Sequence, residues 1–181
     1  MGSWSAEASV IDLLVGMIGS GKSGYARIRA DVGAVCVSHD VLTEMLHVAY
    51  RYEHGLRDMY REMEERIVAV AHEWGHDVVI DRTHLTVESR ARWVEFARRR
   101  DIQIRAVVFP VYGAEVHATR RYEADPRGRS YNEWLRVAKH HLDQIASEPI
   151  SSGENFDQIV HVEMFHHGGG VSCRLREGVL A

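Results

Sequence analysis

Gly16-Met17-Ile18-Gly19-Ser20-Gly21-Lys22-Ser23 decides how the rest of this chain is read. The octet fits the G-x-x-x-x-G-K-[ST] phosphate-loop pattern at every fixed position. The apolar run 10–15 precedes it, and residues 25–30, which can form a helix, follow it. Strand, glycine loop and helix is the setting that the pattern requires. Glycines let the backbone curl until successive N–H groups face an anion, and a helix N-terminus adds its positive end. Gly16, Gly19, Ser20 and Gly21 are therefore expected to cradle phosphates. Lys22 is expected at the β- and γ-phosphates, with the Ser23 hydroxyl on Mg²⁺. ATP and Mg²⁺ are the expected cofactors.

The chain has 181 residues, 45% of them apolar and 27% charged, as in an ordinary globular α/β domain. No apolar run approaches the roughly 18 residues of a membrane span. The N-terminal stretch has no signal-peptide pattern. Cys36 and Cys173 are the two cysteines. Cys36 falls in a run that reads as a buried strand, so two thiols are expected rather than a disulfide, and a cytoplasmic protein with them. Net charge is −4, but residues 82–136 carry 12 Arg against 7 acidic residues, and the remainder carries 10 basic against 19 acidic. A basic segment in an acidic chain suits an anionic partner such as nucleic acid, or else a solvated helix face. Lys22 and Lys139 are the only lysines among 22 basic residues, which makes an accidental lysine at the loop position less plausible.

Apolar periodicity orders the remaining elements. Strands are expected at 34–38, 78–81, 104–109 and 158–162, and helices at 41–50, 57–74, 86–100, 114–123 and 130–145. In the 57–74 helix, Met59, Met63, Ile67, Val70 and Trp74 recur at steps of three and four. In the next, Trp93, Phe96 and Ala97 are expected to face inward. Thr86 reads as a cap, and Ser130 to Glu133 as a capping box. Strand and helix alternate, so the fold class is α/β of the phosphate-loop NTPase type. A mainly parallel sheet would be flanked by helices and topped by a helical, arginine-bearing lid. The reading is of one domain over 1–181, with an N-terminal extension at 1–9 and a tail at 164–181 that has no clear pattern. In such folds ligands bind beyond the carboxyl ends of the strands. Residues 16–23, 39–40, 81–84 and 110–113 are therefore expected to converge.

Absences narrow the class. There is no Asn-Lys-x-Asp for guanine and no Leu-Ser-Gly-Gly-Gln signature, and Asp81 is followed by Arg82 rather than Glu. A small kinase needs a base for the acceptor hydroxyl, groups that hold the acceptor, and positive charge near the transferred phosphoryl group. Asp40, just past the second strand, suits the base, although an Asp there also suits a helix cap. Arg121, Arg127 and Arg129, around the turn Asp125-Pro126-Arg127-Gly128-Arg129, suit a mobile lid. Arg121 and Arg129 are expected toward the nucleotide. His39 and His84 flank these residues and could hydrogen-bond a substrate. His72-Glu73-Trp74-Gly75-His76 matches the zinc-protease pattern H-E-x-x-H, but Gly75 should end the helix between the two histidines. His161, His166 and His167 lack partners at ligand spacing.

Residues 16–27, Ser38-His39-Asp40, Asp81-Arg82-Thr83-His84-Leu85-Thr86 with Arg90 and Trp93, and Arg127-Gly128 resemble the kinase domain of phage and bacterial polynucleotide 5′-kinases. The likeness covers about residues 10–145. The resemblance implies transfer of the ATP γ-phosphate to a nucleic-acid 5′-hydroxyl. Lys22 and Ser23 would act on phosphate and metal, Asp40 as general base, and Asp81 in the acceptor pocket with Arg82, Thr83 and His84. The Arg127 region would supply a lid arginine. Two positions depart from the family. Those kinases usually place an arginine three residues after the base, to grip the acceptor's 3′-phosphate, and here Thr43 stands in that part of the pocket. The lid arginines Arg121 and Arg127 are also more widely spaced. Related kinases phosphorylate hydroxymethyluracil within DNA, and others act on small metabolites, so these remain alternative acceptors. An ATP-binding switch without phosphotransfer is the alternative outside enzymes.

Overall fold

Six short strands lie side by side in the order β2-β3-β1-β4-β5-β6. They are β1 (Val10–Val15), β2 (Val35–Ser38), β3 (Val78–Asp81), β4 (Gln103–Val108), β5 (Gln158–His167) and β6 (Gly170–Glu177). The computed structural model describes residues 9–49, 51–125, 128–167 and 170–177. The helices are α1 (Lys22–Asp31), α2 (His39–His47), α3 (Arg57–Glu73), α4 (Val87–Arg99), α5 (Ala114–Glu123) and α6 (Tyr131–Ser147). Pairing is parallel from β2 to β5 and antiparallel between β5 and β6. The chain leaves β1 for the far edge at β2, returns beside β1 as β3, then crosses to β4 on the other side. The reversal puts a crevice at the carboxyl end of β1.

The strands are apolar because both faces of the sheet are covered. Ile11 and Leu13 of β1 pack with Val78, Ile80 and Ile104 beneath Val68 of α3 and Trp93, Phe96 and Ala97 of α4. Leu14, Val79 and Val107 turn the other way, onto Tyr25 and Ala26 of α1. Each large apolar side chain so buried contributes about 1.5–3 kcal/mol. Asp12 is the exception in β1, fully buried at 0% exposure. Its carboxylate accepts from the Tyr25 hydroxyl at 2.7 Å and from Arg105 Nη2 at 3.1 Å, and Arg29 Nε lies 3.2 Å away. A third cluster forms away from the sheet, where Met17 of the phosphate loop packs on Ala114 and Ala118 of α5 and Trp134 and Ala138 of α6.

Three expectations are corrected. Helix α3 turns Tyr60, Glu64, Val68 and Ala71 inward, so the recurring apolar residues face out, with Val70 54% and Trp74 78% exposed. Polar anchors decide this rotation. The Tyr60 hydroxyl meets His47 Nε2 at 2.7 Å, and Glu64 carries three ion pairs inside. Cys36 is exposed, with its thiol donating to the Ala26 carbonyl at 3.1 Å on the open side of edge strand β2. Burial around the sulfur still raises its pKa. Helix α2 begins at His39, with Ser38 as its N-cap, so Asp40 lies inside the first turn and is not the cap.

The tail at 164–181 was without pattern in sequence. Through Glu177 it lies in the end of β5 and in β6, which returns antiparallel along β5. Residues 1–8 lie outside the described residues. Gly75 has φ +76° and ends α3, so His72 and His76 part company. His72 meets Ser9 Oγ, and His76 Nδ1 meets the Gly33 carbonyl at 3.2 Å.

Candidate functional site

The phosphate loop is tight at its glycines. A Cβ on Gly16 would sit 2.8 Å from Phe109 Cβ, and one on Gly19, at φ +62°, 2.7 Å from the His117 carbonyl. Gly21 has φ +101° and caps α1, so the loop feeds a helix N-terminus. Lys22 is buried and folds back, donating from Nζ to the Gly16 carbonyl at 3.0 Å and lying 3.4 Å from Ser20 Oγ. Burial lowers its pKa to about 8. Asp81 opposes that shift, Arg121 reinforces it and Asp40 opposes it again. These three residues, from the ends of β3, α5 and β2, thus share one electrostatic neighbourhood with the loop lysine.

The Ser23 hydroxyl donates to Asp81 Oδ2 at 2.9 Å. A hydroxyl beside a carboxylate is a hard oxygen pair that fits Mg²⁺, which takes one or two protein oxygens and completes its shell with phosphate and water. The sequence reading put Ser23 on the metal and Asp81 with the acceptor. The geometry joins the two, so Asp81 fits the metal as well. Among the described residues no group of three or more His, Cys, Asp or Glu could hold a metal ion on its own.

Beyond the end of β2, Asp40 stands in the first turn of α2. Thr43 is 0% exposed, and its hydroxyl donates to the Asp40 carbonyl at 2.9 Å. Its hydroxyl hydrogen is thus engaged within the helix. Arg82, just past the end of β3, has its Nη1 3.4 Å from Glu64 Oε1. Glu64 also meets His39 Nδ1 at 2.8 Å and Arg92 Nη1 at 3.2 Å. Burial works to raise the Glu64 pKa, but the His39 hydrogen bond and the Arg82 charge outweigh it and hold the carboxyl below its ordinary value. His39 thus faces a buried carboxylate. Glu64 and Arg92 went unnoticed in sequence, although an acid in the inward row of Tyr60, Val68 and Ala71 was the available signal.

Arg82, Thr83, His84, Thr86, Arg92 and Gln144 line a cavity of about 160 Å³ just past Asp81. Thr83 is tied to the phosphate loop, its carbonyl accepting from the Gly16 N–H at 2.9 Å. His84 is 4% exposed with φ +43°. Its Nδ1 lies 2.9 Å from the Leu14 carbonyl, so Nδ1 carries the hydrogen and donates. Burial pushes its pKa down to about 3. Arg90 and Trp93, part of the family-like motif, are structural here. Trp93 is core. Arg90 clamps Glu154 at 2.5 and 3.0 Å and donates to the carbonyls of His84, Leu85 and Glu148 at 3.2, 2.8 and 3.1 Å.

Over the other side of the loop stands the α5–α6 pair. The Trp134 ring lies between Arg121, with Cζ 4.7 Å from its centroid, and Arg129 at 5.1 Å. Trp134 Nε1 donates to Asp125 at 3.1 Å. Arg127 lies outside the described residues. Two histidines that the sequence reading passed over bracket the Ile18 peptide. His117 Nδ1 donates to the Ile18 carbonyl at 2.9 Å, and His141 Nδ1 accepts from the Ile18 N–H at 3.4 Å. Burial lowers both pKa values, that of His141 to about 4.

The arginine-rich segment is mostly spoken for. Arg90, Arg92, Arg98 and Arg105 pair with Glu154, Glu64, Asp157 and Asp12, acids that lie outside the segment. Its charge excess is thereby largely cancelled in the fold.

A sequence profile described as an AAA domain matches residues 11–146. No curated protein matches the chain in sequence. A chain of the Pnkp1/Rnl/Hen1 RNA repair complex superposes with a TM-score of 0.66 at 21% identity, over 86% of this chain and 48% of its own length. A chain from a second structure of the Pnkp1/Rnl/Hen1 complex gives 0.55 at 23% identity, over 64% and 40%. The APS kinase CysC of Mycobacterium tuberculosis, in complex with AMPPNP and APS, gives 0.50 at 17% identity, over 75% and 98%. This chain thus spans about half, or less, of the repair-complex chains it matches. At these identities the likeness is one of fold, a mostly parallel sheet with a phosphate loop as in P-loop kinases. Among the described residues no helix is long and apolar enough to cross a membrane.

Proposed function

The chain belongs to the AAA domain family, and on that footing we propose that it is an ATP-dependent kinase acting on a hydroxyl of a nucleic acid, in the first instance a polynucleotide 5′-hydroxyl. The observation that carries the reading is the neighbourhood of Lys22. An acid from the β2 end, an acid from the β3 end and an arginine from α5 all act on its charge. A loop that merely held a magnesium nucleotide would use the β3 acid for the metal but would need neither the β2 acid nor the α5 arginine. The β2 acid serves as base and the α5 arginine as neutralising charge, which are the parts phosphoryl transfer asks for.

In this scheme the loop N–H groups and Lys22 hold the β- and γ-phosphates. Asp40 accepts the proton of the acceptor hydroxyl as its oxygen bonds to the γ-phosphorus and ADP leaves. Arg121 and Arg129, stacked on Trp134, are the lid arginines within reach, and Arg127 is assigned with them. Ser23 and Asp81 would hold Mg²⁺, which neutralises charge on the transferring group when bound. Arg82, Thr83 and His84 line the acceptor side.

One observation favours a second reading, a kinase for the hydroxymethyl group of a modified base in DNA. Thr43 is buried and engaged, so no cation stands at the α2 position from which an end phosphate would be gripped. A small-molecule acceptor is the more distant alternative. Both are tested together by supplying γ-labelled ATP with 5′-hydroxyl DNA, 5′-hydroxyl RNA and duplex bearing hydroxymethylated bases, then digesting the product to nucleosides. Label on a nucleoside 5′-position is expected. Label on the base would move the assignment to the second reading, and ATP hydrolysis without label in any nucleic acid would overturn both.

A further inference from the structure

His84 has a buried atom with nothing to bind. Among the described residues only two buried side-chain polar atoms lack a hydrogen-bond partner, Arg29 Nε and His84 Nε2. Arg29 Nε is met electrostatically by Asp12 at 3.2 Å. His84 Nε2 has no such neighbour. An unpaired polar atom at full burial costs about 1–3 kcal/mol, so a partner is to be expected in some state of the protein.

The ring is held so that this atom can only accept. Donation from Nδ1 to the Leu14 carbonyl leaves a bare lone pair on Nε2 in the neutral ring. Burial, with the charges of Arg82 and Lys22, outweighs the Leu14 hydrogen bond and the Glu64 charge and opposes a second proton. Arg90, through the His84 carbonyl, fixes the backbone that carries it. His84 also lines the cavity past Asp81, together with the polar residues Arg82, Thr83, Thr86, Arg92 and Gln144 among others. We propose that His84 Nε2 is a preset hydrogen-bond acceptor in the acceptor cavity, taking an O–H or N–H donor that the nucleic-acid acceptor carries beside its reacting hydroxyl. The proposal rests on the nucleic-acid reading above and assigns a specificity device within that site. The donor has two chemical sources, a ribose 2′-hydroxyl or an amino or imino group of the terminal base.

The test is His84→Asn. The Asn amide can still donate to Leu14 and tolerates a positive φ, but it does not reach the position of Nε2. With 5′-hydroxyl RNA, DNA and terminally 2′-O-methylated RNA as acceptors, the variant is expected to raise the acceptor KM about three- to tenfold and to leave the ATP KM unchanged. If the donor is the 2′-hydroxyl, the wild type loses that same factor on DNA and on methylated RNA, and the variant loses nothing further there. If the donor is on the base, the variant loses equally on all three. His84→Gln, whose carbonyl reaches the distal position, is expected to restore the acceptor KM. A folded His84→Asn enzyme with wild-type acceptor KM on every arm overturns the proposal and leaves the kinase assignment standing. Transfer by the wild type to no nucleic acid overturns both. Should His84→Asn fail to fold, the Nε2 resonance of ¹⁵N-histidine-labelled wild type decides: it shifts when acceptor is added, or its constancy overturns the proposal.

Discussion

One buried guanidinium holds the loop after β3 together. Arg90 makes every contact that its three nitrogens allow, and Arg90→Ala would strand Glu154 and three carbonyls at once. Unfolding free energy is expected to fall by about 3–5 kcal/mol, read from the urea midpoint, and Arg90→Lys is expected to recover little because an ammonium cannot span the same partners. A loss under about 1 kcal/mol would refute the clamp. Asp40 is the base of the proposed transfer. Asp40→Asn is expected to abolish transfer while ATP affinity stays within about twofold, and near-normal turnover would remove it as the base. Lys22 gives a third expectation. Its pKa near 8 in the empty loop means that its charge fades as pH rises through that value. Phosphate favours the charged form, so nucleotide affinity, followed by calorimetry, is expected to weaken above about pH 8, and Lys22→Ala to abolish that dependence.

At the scale of elements, rotation of α3 is the instructive case. Its apolar recurrence was plain in sequence, yet the helix buries the neighbouring row, because Glu64 and Tyr60 find partners only on the inside. Periodicity detects an apolar stripe, and only tertiary partners say which stripe is covered. Val68→Asp is therefore expected to unfold the protein, whereas Val70→Asp changes stability by no more than about 0.5 kcal/mol in the same denaturation assay. His84, in the loop after β3, and His141, on α6, offer the corresponding pH test. His84 and His141 titrate near 3 and 4 in the fold against about 6.5 in the unfolded chain. The unfolded state binds more protons below that value, so their contribution is whole above about pH 6.5 and is lost as pH falls toward 4 and 3. Melting temperature is expected to decline over that window, and less steeply in His141→Gln. An unchanged slope would show that Ile18 is not held this way.

For the molecule as a whole, legibility followed burial. The strands β1, β3 and β4 announced themselves because both faces are covered, and the phosphate loop because its glycines obey geometry that few residues tolerate. Strand β6 was hidden, since an antiparallel edge strand has one polar side and begins at a glycine run that reads as a loop. Within the site, Lys22, Ser23, Asp40 and Asp81 came from motif and topology. Glu64, His117 and His141 did not, because their roles come from neighbours far away in sequence. One of those distant contacts reaches further. The Gly16 amide, first residue of the phosphate loop, is bonded to the Thr83 carbonyl, one residue from His84. Under the proposed function, nucleotide and acceptor would sit at the two ends of this one peptide hydrogen bond, which gives a direct path between them. Thermodynamic reciprocity then sets a condition on the two ligands: the factor by which ATP changes acceptor affinity must equal the factor by which acceptor changes ATP affinity.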